Sequence, residues 1–344
     1  MDKDELKNIV KTLLDPKKGI LAADWSLGSS EKHFSKLGVE HNEETRRKYR
    51  QMLFTTPSLE EYISGVIFFE ESLKQNTNEG KPFPQYLQEK GILPGIKVDR
   101  GTKEMANFPG EQIAEGLDGL RERLVEYKNL GAKFTKWRAV FSISEMTPTE
   151  QCIASNSECL SRYAALSQEA GLVPIVEPEV EMKGKHGIYE CEEATKNVLA
   201  EVFSSLEKHK VYNEGMILKT NFIHPGKESE EKVDPKLIAE ETIITFENTL
   251  PSELPGVVFL SGGMSSVEST SNLNWMAKKR KEDRQDLPWD FSFSYARAIQ
   301  YPAIEIWKGM DENVVEAQKA VVKRARLNSL ARQGLYSEEM ENGL

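Results

Sequence analysis

Eight short apolar runs recur along the chain, and most neighbours are separated by a longer segment with helical periodicity. Several runs begin at glycine or proline, which is typical of strand boundaries. Strands that alternate with helices predict an α/β fold with a closed parallel (β/α)8 TIM barrel. An open doubly wound sheet is the alternative, but no GxGxxG loop follows any run. The runs are GILAAD (19–24), ISGVIFFE (63–70), PGIKVD (94–99), AKFTKWRAVFS (132–142), LVPIVEPEV (172–180), GMILKTN (215–221), PGVVFLSGG (255–263) and FSFSYAR (291–297).

The segments between the runs predict the helices and loops of one catalytic domain over residues 1–344. Residues 101–110 and 226–235 are interpreted as loops, and a short C-terminal tail is expected from about residue 337. A chain of this length is common for a single barrel domain. The predicted helices cover 111–130, 149–170, 192–209, 235–249 and 312–333.

Composition excludes several classes of partner. The chain has a net charge of −10, with 39% hydrophobic and 29% charged residues. An acidic chain of this kind is not expected to bind nucleic acid or an anionic membrane, although a local cationic pocket for phosphate stays open. No apolar stretch approaches the ~18 residues of a membrane span. The acidic, amphipathic N-terminus fits no signal peptide, and three cysteines without CxxC spacing suit reduced thiols, so we expect a cytoplasmic protein.

Three lysines lie inside apolar runs, where a charged side chain is costly to bury. They are Lys97 in GIKVD, Lys136 in FTKWRAV and Lys219 in GMILKTN. Such violations of the sequence rules concentrate at functional sites. A lysine in a desolvated pocket near other cations can serve as a neutral amine that attacks a carbonyl. The pattern therefore indicates Schiff-base chemistry, with Lys219 as its centre.

Charged or polar side chains stand at the end of nearly every predicted strand, where barrel enzymes place their active sites. Residues two apart in a strand share a face, so Lys136 lies with Arg138 and Glu177 with Glu179. An excess of cations within an acidic chain suits a phosphorylated substrate. The candidate pocket gathers the cations Lys97, Lys136, Arg138, Lys219 and Arg297 and the carboxylates Asp24, Asp99, Glu177 and Glu179.

The chain resembles the class I, Schiff-base-forming fructose-bisphosphate aldolases from about residue 5 to residue 336. The resemblance implies a (β/α)8 barrel and reversible cleavage of fructose 1,6-bisphosphate to dihydroxyacetone phosphate and glyceraldehyde 3-phosphate, in glycolysis and gluconeogenesis. It also implies a homotetramer. It is carried by GILAADWSLGS (19–29), GVIFFEESL (65–73), GIKVDRG (95–101), YKNLGAKFTKWR (127–138), ILKTN (217–221), PGVVFLSGG (255–263) and KRARLNSLARQGLY (323–336).

The resemblance assigns catalytic roles to five residues. Lys219 matches the Schiff-base lysine, Glu177 the general acid/base for carbinolamine dehydration, and Asp24 the group that takes the C4 hydroxyl proton. Lys136 and Glu179 match neighbours that set the protonation of Lys219 and Glu177. The iminium accepts the electrons of cleavage, so neither metal nor cofactor is expected.

The resemblance also implies two phosphate sites. Ser261, Gly262 and Arg297 would bind the C1 phosphate, with Gly263 completing the SGG turn. The C6 phosphate would face Ser26, Ser29, Lys97 and Arg138, with Lys32 in a basic pair beyond the first strand.

Several positions depart from the family pattern. Trp25 stands where glutamate is usual, and His33 is a weaker cation than the usual basic residue. Thr220 replaces a proline beside the lysine, and Ala296 replaces a glycine near the C1 phosphate. Animal members carry a terminal tyrosine that assists proton exchange at C3. No equivalent follows Tyr336, so we expect pocket groups or substrate phosphate to handle that exchange.

Three alternatives stay open. The first is a Schiff-base aldolase that prefers sedoheptulose 1,7-bisphosphate or fructose 1-phosphate. The second is a barrel retained as a non-catalytic scaffold, which the intact set of catalytic residue types disfavours. The third, a metal-dependent aldolase, is disfavoured because the five histidines lack metal-ligand spacing.

Overall fold

The computed structural model describes residues 1–343 and contains ten β-strands in chain order. Each of the eight predicted apolar runs coincides with one strand of the barrel to within a few residues, so the predicted strand set is confirmed. The strands are β1 Gly19–Ala23, β2 Ile63–Phe68, β3 Leu93–Lys97, β4 Thr102–Glu104, β5 Gln112–Ala114, β6 Phe134–Phe141, β7 Val173–Val180, β8 Ile217–Thr220, β9 Gly256–Phe259 and β10 Asp290–Tyr295.

Helices separate most of the barrel strands and pack around them. Four of the five predicted helices are confirmed to within a few residues. Short 3₁₀ helices cover Leu59–Glu61, Asn213–Gly215, Asp311–Asn313 and Glu338–Glu341. The α-helices are α1 Lys3–Leu13, α2 Leu27–Lys36, α3 Glu43–Phe54, α4 Glu70–Leu73, α5 Phe83–Glu89, α6 Leu120–Asn129, α7 Glu150–Glu169, α8 Ile188–Lys208, α9 Pro235–Thr249, α10 Ser266–Glu282, α11 Arg297–Trp307 and α12 Val314–Arg332.

Eight parallel strands close into a barrel in the order β1-β10-β9-β8-β7-β6-β3-β2. The closing pair is β1 with β10, where Ile20 is paired with Ser294. A closed sheet of this kind with surrounding helices is a (β/α)8 TIM barrel, as predicted, and not an open doubly wound sheet.

The barrel interior near the N-terminal ends of the strands is filled by apolar side chains. The ring of Phe134 occupies the space where Gly95 would carry a Cβ, and Phe293 does the same at Gly19. Apolar residues of α1 join this cluster and cover the N-terminal end of the barrel. The polar chemistry is therefore confined to the opposite, C-terminal end of the strands.

The predicted helix over 111–130 is wrong in its first half. Residues Gln112–Ala114 form β5, which pairs with β4 as an antiparallel hairpin, and the helix begins only at Leu120. Gly116 and Gly119 have positive φ angles, which interrupt a helix at little steric cost. Asn156 then holds the hairpin, because its side chain donates to the Gln112 carbonyl at 2.8 Å. These two glycines therefore prevent a helix over 111–119, although the sequence there has helical periodicity.

The predicted tail from about residue 337 is described up to residue 343, and Leu344 lies outside the described residues. Both Glu341 carboxylate oxygens accept hydrogen bonds from Arg324 of α12 at 2.7 Å. The Tyr336 hydroxyl donates to Glu341 at 2.9 Å. Residues Tyr336 to Glu341 are thus held against α12. Within residues 1–343, no helix has both the length and the apolar composition that crossing a membrane requires.

Candidate active site

A cavity of about 830 Å³ opens at the C-terminal ends of the barrel strands. Its size is in the range of small-molecule sites. All nine side chains of the predicted pocket line it. Residues from every strand of the barrel or from the loop that follows it reach the wall, so the closed sheet brings together groups that are far apart in sequence.

Lys219 lies at the floor of this cavity, on β8. Its side chain is only 4% exposed, and its Nζ lies 3.1 Å from Oε1 of Glu177 on β7. Two residues earlier on the same face, Ile217 belongs to the apolar barrel interior. Alternation along the strand therefore places the amine directly above the apolar layer, where water is scarce.

Glu177 is shared by two lysine side chains. Its Oε2 lies 2.7 Å from Nζ of Lys136, while its Oε1 faces Lys219. Lys136 also donates a hydrogen bond to Oδ2 of Asp24 at 3.0 Å. The four side chains form one chain of contacts, Asp24–Lys136–Glu177–Lys219, and each of them is more than nine-tenths buried.

These contacts fix the ionisation of Asp24 and Lys136. Burial alone raises the pKa of Asp24, but the ammonium groups of Lys136 and Lys219 outweigh it and lower the pKa to about 2. Burial alone lowers the pKa of Lys136, but the carboxylates of Asp24 and Glu177 outweigh it, so that pKa lies above its ordinary value. At neutral pH the site holds an aspartate anion and a Lys136 cation.

A second ion pair, Arg138 with Glu179, lies two residues further along β6 and β7 than Lys136 and Glu177. Nε of Arg138 donates to Oε2 of Glu179. Burial alone raises the pKa of Glu179, but the Arg138 guanidinium outweighs it and lowers that pKa. Glu179 therefore contacts Arg138, whereas the resemblance pairs it with Lys219 and Glu177.

The third strand-end pair is Lys97 with Asp99. The Lys97 amine donates to the carboxylate of Asp99 and, at 2.8 Å, to its backbone carbonyl. Asp99 also accepts a hydrogen bond from the backbone N–H of Arg138 at 3.1 Å. The predicted cations Lys97 and Arg138 are thus both held by carboxylates at the cavity wall.

The opposite side of the cavity is suited to an anion. Ser261 and Gly262 follow β9, and Arg297 begins α11, which runs away from the cavity. A helix N-terminus presents free backbone N–H groups and a positive dipole end. Gly262 adopts a φ of 51°, a left-handed conformation that glycine accepts without strain. No carboxylate within residues 1–343 forms an ion pair with Arg297, so its charge remains free for a ligand.

Ser26, the N-cap of α2, and Ser29, in its first turn, also line the cavity. The Ser26 hydroxyl donates to that of Ser29 at 3.1 Å and accepts its backbone N–H at 3.3 Å. Two predicted residues are placed elsewhere. Lys32 is exposed on α2 outside the cavity wall, and Gly263 packs under the side-chain stem of Lys227.

Sequence reasoning missed several residues of the wall. Ser294 on β10 faces the cavity, as does Tyr301 on α11, which lies one helical turn beyond Arg297. Arg123 of α6 also reaches it and donates to the Val98 carbonyl at 2.9 Å. The i, i+4 spacing of Arg297 and Tyr301 was a usable signal on a helix, whereas Arg123 depends on the hairpin that the helical pattern concealed.

The fold and the site define a barrel enzyme whose buried lysine amine contacts a carboxylate, beneath a rim that carries Arg297. A sequence model of the family described as fructose-bisphosphate aldolase class-I matches residues 5–343. The chain belongs to this family, and the predicted enzyme class, a lyase, is confirmed.

Individual relatives agree with the family match. The chain is 47% identical to a probable fructose-bisphosphate aldolase class 1 of Xanthomonas campestris, over 98% of this chain and 99% of the relative. It is 47% identical to the cytoplasmic isozyme of Spinacia oleracea, over 97% and 92%. A crystal structure of Plasmodium falciparum fructose-bisphosphate aldolase, complexed with TRAP and an inhibitor, superposes with a TM-score of 0.94 at 40% identity, over 97% of this chain and 95% of that chain.

Proposed function

We propose that this cavity cleaves fructose 1,6-bisphosphate reversibly into dihydroxyacetone phosphate and glyceraldehyde 3-phosphate through an iminium on Lys219. The observation that carries the proposal is the 3.1 Å contact of the Lys219 amine with Glu177, in a layer closed to water from below. An amine needs a proton acceptor at hydrogen-bond distance before it can attack a carbonyl. Glu177 is placed to be that acceptor.

In the first stage the lone pair of the Lys219 nitrogen forms a bond to C2 of the ketose, and the carbonyl oxygen takes up a proton. The resulting carbinolamine loses its oxygen as water, with the proton supplied by Glu177, and the C=N⁺ bond forms. Because Glu177 contacts both Lys219 and Lys136, it can accept a proton from one step and return it in the next. Lys136 stays cationic and holds the carboxylate in place.

In the second stage the C3–C4 bond breaks. The Asp24 carboxylate takes the proton of the C4 hydroxyl, C4 becomes the aldehyde carbon of glyceraldehyde 3-phosphate, and the electron pair passes to the iminium to give an enamine. The low pKa of Asp24 keeps it ionised at neutral pH, as a base must be. Protonation at C3 and hydrolysis of the iminium then release dihydroxyacetone phosphate and free Lys219.

The two phosphates would hold the substrate across the cavity. Ser261, Gly262 and Arg297 are proposed for the C1 phosphate, which would use the free guanidinium and the N-terminus of α11. Ser26 and Ser29 are proposed for the C6 phosphate, with Lys97 and Arg138 on the far wall. Since those two cations are already paired with Asp99 and Glu179, they would bind a phosphate only by sharing or exchanging partners.

A substrate comparison tests the proposal. Initial cleavage rates with fructose 1,6-bisphosphate, sedoheptulose 1,7-bisphosphate and fructose 1-phosphate are measured in the presence of a chelator. The proposal expects the highest kcat/KM for fructose 1,6-bisphosphate and no loss of activity with the chelator. A higher kcat/KM for either of the other ketoses would show that it, and not fructose 1,6-bisphosphate, is the preferred substrate. Complete loss of activity with the chelator would contradict the iminium mechanism.

Location, assembly and pathway belong to the same proposal. A cytoplasmic location is supported by relatives named as the cytoplasmic isozyme of Spinacia oleracea and the cytosolic aldolase 4 of Arabidopsis thaliana. A homotetramer and a role in glycolysis and gluconeogenesis are supported by family membership. Sedimentation velocity of the purified protein tests the assembly, where a monomer or dimer would contradict it.

A further inference from the structure

The histidine at the cavity rim, His33, lies between two aromatic rings. Its ring centroid is 4.3 Å from that of Trp25, with an interplanar angle of 42°, and 5.1 Å from that of Tyr301, approached edge-on at 69°. All three residues line the cavity, and His33 lies one helical turn beyond Ser29 on α2. His33 is half-buried, and it contacts these rings instead of a hydrogen-bond partner within residues 1–343. Its ring nitrogens therefore remain available to a ligand.

The aromatic frame that holds His33 is fixed from behind. Trp25 stacks on Tyr49 with centroids 5.7 Å apart and an interplanar angle of 13°. Tyr49 is fully buried, and its hydroxyl lies 3.0 Å from the side-chain oxygen of Gln300 on α11. The two elements that carry Trp25 and Tyr301 are thus packed against one core, so the orientation of His33 is set before a ligand arrives.

Mostly positive charges face His33. Lys32 and Lys36 come from its own helix, and Arg297 comes from α11. Tyr301 contacts the His33 ring edge-on, and Glu305, on the next turn of α11, acts on Tyr301. Burial and these three cations lower the pKa of His33. The ring is accordingly neutral at neutral pH, next to a guanidinium that has no carboxylate partner in the described chain.

We propose that His33 is a specificity-determining residue that, when protonated, binds the substrate phosphate held by Ser26 and Ser29. The selectivity for a bisphosphate over a ketose with a single phosphate at C1 would then increase as the pH falls. This inference rests on the proposed function and assigns to it a residue whose action depends on pH.

The physical basis is the coupling of anion binding to protonation. A phosphate held by Ser26 and Ser29 offsets the positive charge of Lys32, Lys36 and Arg297 that disfavours the imidazolium, so bound phosphate and bound proton stabilise one another. The imidazolium then donates a charge-assisted hydrogen bond that the neutral ring cannot match. One such bond is expected to change kcat/KM by roughly tenfold.

The experiment measures the ratio of kcat/KM for fructose 1,6-bisphosphate to that for fructose 1-phosphate between pH 5.5 and 8.5. It compares the unchanged chain with His33→Arg, which fixes the positive charge, and His33→Gln, which removes it. Phosphate ionisation is common to all three proteins, so differences among their profiles report His33. His41→Gln is the matched control, because His41 bonds to Ser30 of the same helix at 3.0 Å but does not line the cavity.

The proposal expects the ratio for the unchanged chain to approach that of His33→Arg at pH 5.5 and that of His33→Gln at pH 8.5, a relative change of roughly tenfold. His41→Gln should follow the unchanged chain. Parallel profiles for all four proteins would overturn the proposal, as would equal shifts with both substrates, which would place His33 at the C1 phosphate. Iminium trapping at Lys219 in each variant reports the proposed function separately, so its failure and the failure of the His33 inference are distinguishable.

Discussion

The ammonium group of Lys136 lies 2.7 Å from Oε2 of Glu177, and this contact joins two neighbouring barrel strands. The other oxygen of the same carboxylate faces Lys219. One carboxylate thus links a permanently charged lysine to the lysine assigned to carbonyl attack. The two lysines therefore have different roles in the proposed mechanism. Lys136 supplies positive charge, and Lys219 supplies the lone pair that attacks the carbonyl.

Replacing Lys219 with methionine should abolish cleavage while the fold is retained. Methionine keeps an unbranched apolar stem in a position that is almost fully buried, but it has no amine. We expect kcat to fall by at least about 10³-fold, because covalent catalysis is lost. Circular dichroism and a coupled cleavage assay measure both effects. Lys196→Met, on the exposed face of α8, is the control, and retained turnover in Lys219→Met would refute the assignment.

Glu177→Gln should slow turnover by about 10²- to 10⁴-fold, the usual contribution of a general acid/base. The amide keeps the size of the side chain but cannot exchange a proton with the substrate or with Lys219. Covalent intermediate should therefore accumulate, which rapid quenching followed by intact-protein mass measures. Unchanged turnover without accumulation would show that another group carries the proton.

Lys136→Met should destabilise the protein at neutral pH by about 3–5 kcal/mol, because it removes the cation that lies between the buried carboxylates of Asp24 and Glu177. In the unchanged chain the pKa of Asp24 is lowered to about 2. Its stabilising contribution is thus present above the unfolded pKa of roughly 3.9 and is lost as the pH falls through 2. In the variant that pKa should rise.

The stability difference between the unchanged chain and Lys136→Met should therefore shrink on acidification from pH 7 towards pH 3. Urea unfolding at several pH values measures the free energy of unfolding of both proteins. Lys319→Met, which removes a cation from an exposed pair with Glu316, should cost little at any pH. A difference that is constant with pH would contradict the ion-pair account.

Deleting residues 338–344 should leave proton exchange at C3 intact. Glu341 is held by Arg324 of α12 and by Tyr336, and residues 338–343 line no part of the cavity. Exchange of the C3 proton of dihydroxyacetone phosphate with solvent, followed by NMR in deuterated water, measures this step. Abolished exchange in a folded deletion variant would refute the expectation.

The same deletion should lower stability, because Arg324, whose side chain is 5% exposed, loses its carboxylate partner. The expected cost is up to about 3 kcal/mol. Glu341→Gln is the matched substitution, since it removes the charge and keeps the segment. Equal stability of the unchanged chain and both variants would show that the contact is not needed for folding.

Much of the fold followed from the sequence because strand and helix signals alternate so regularly. The eight runs and the i, i+2 alternation correctly placed Lys136 with Arg138 and Glu177 with Glu179 on the cavity side. The helix predicted over 111–130 failed because periodicity cannot register a positive φ at a glycine or a long-range contact such as that of Asn156.

The pairing of side chains within the site was beyond the sequence. Alternation shows which face of a strand a side chain is on. It does not show which side chain of another strand it contacts, because that depends on strand register and tilt. Glu179 therefore could not be assigned to Arg138, nor Asp24 to Lys136, from spacing alone. The aromatic frame of His33 was likewise hidden, because Trp25 and Tyr301 are far apart in the chain.

The measurement that tests the central claim most directly is the mass of the protein and its peptides after borohydride reduction with dihydroxyacetone phosphate, in the presence of a chelator. We predict a single stable adduct on the peptide that contains Lys219, and none in Lys219→Met. No adduct on the folded protein, or an adduct on another lysine, would contradict the assignment of Lys219 as the residue that forms the iminium.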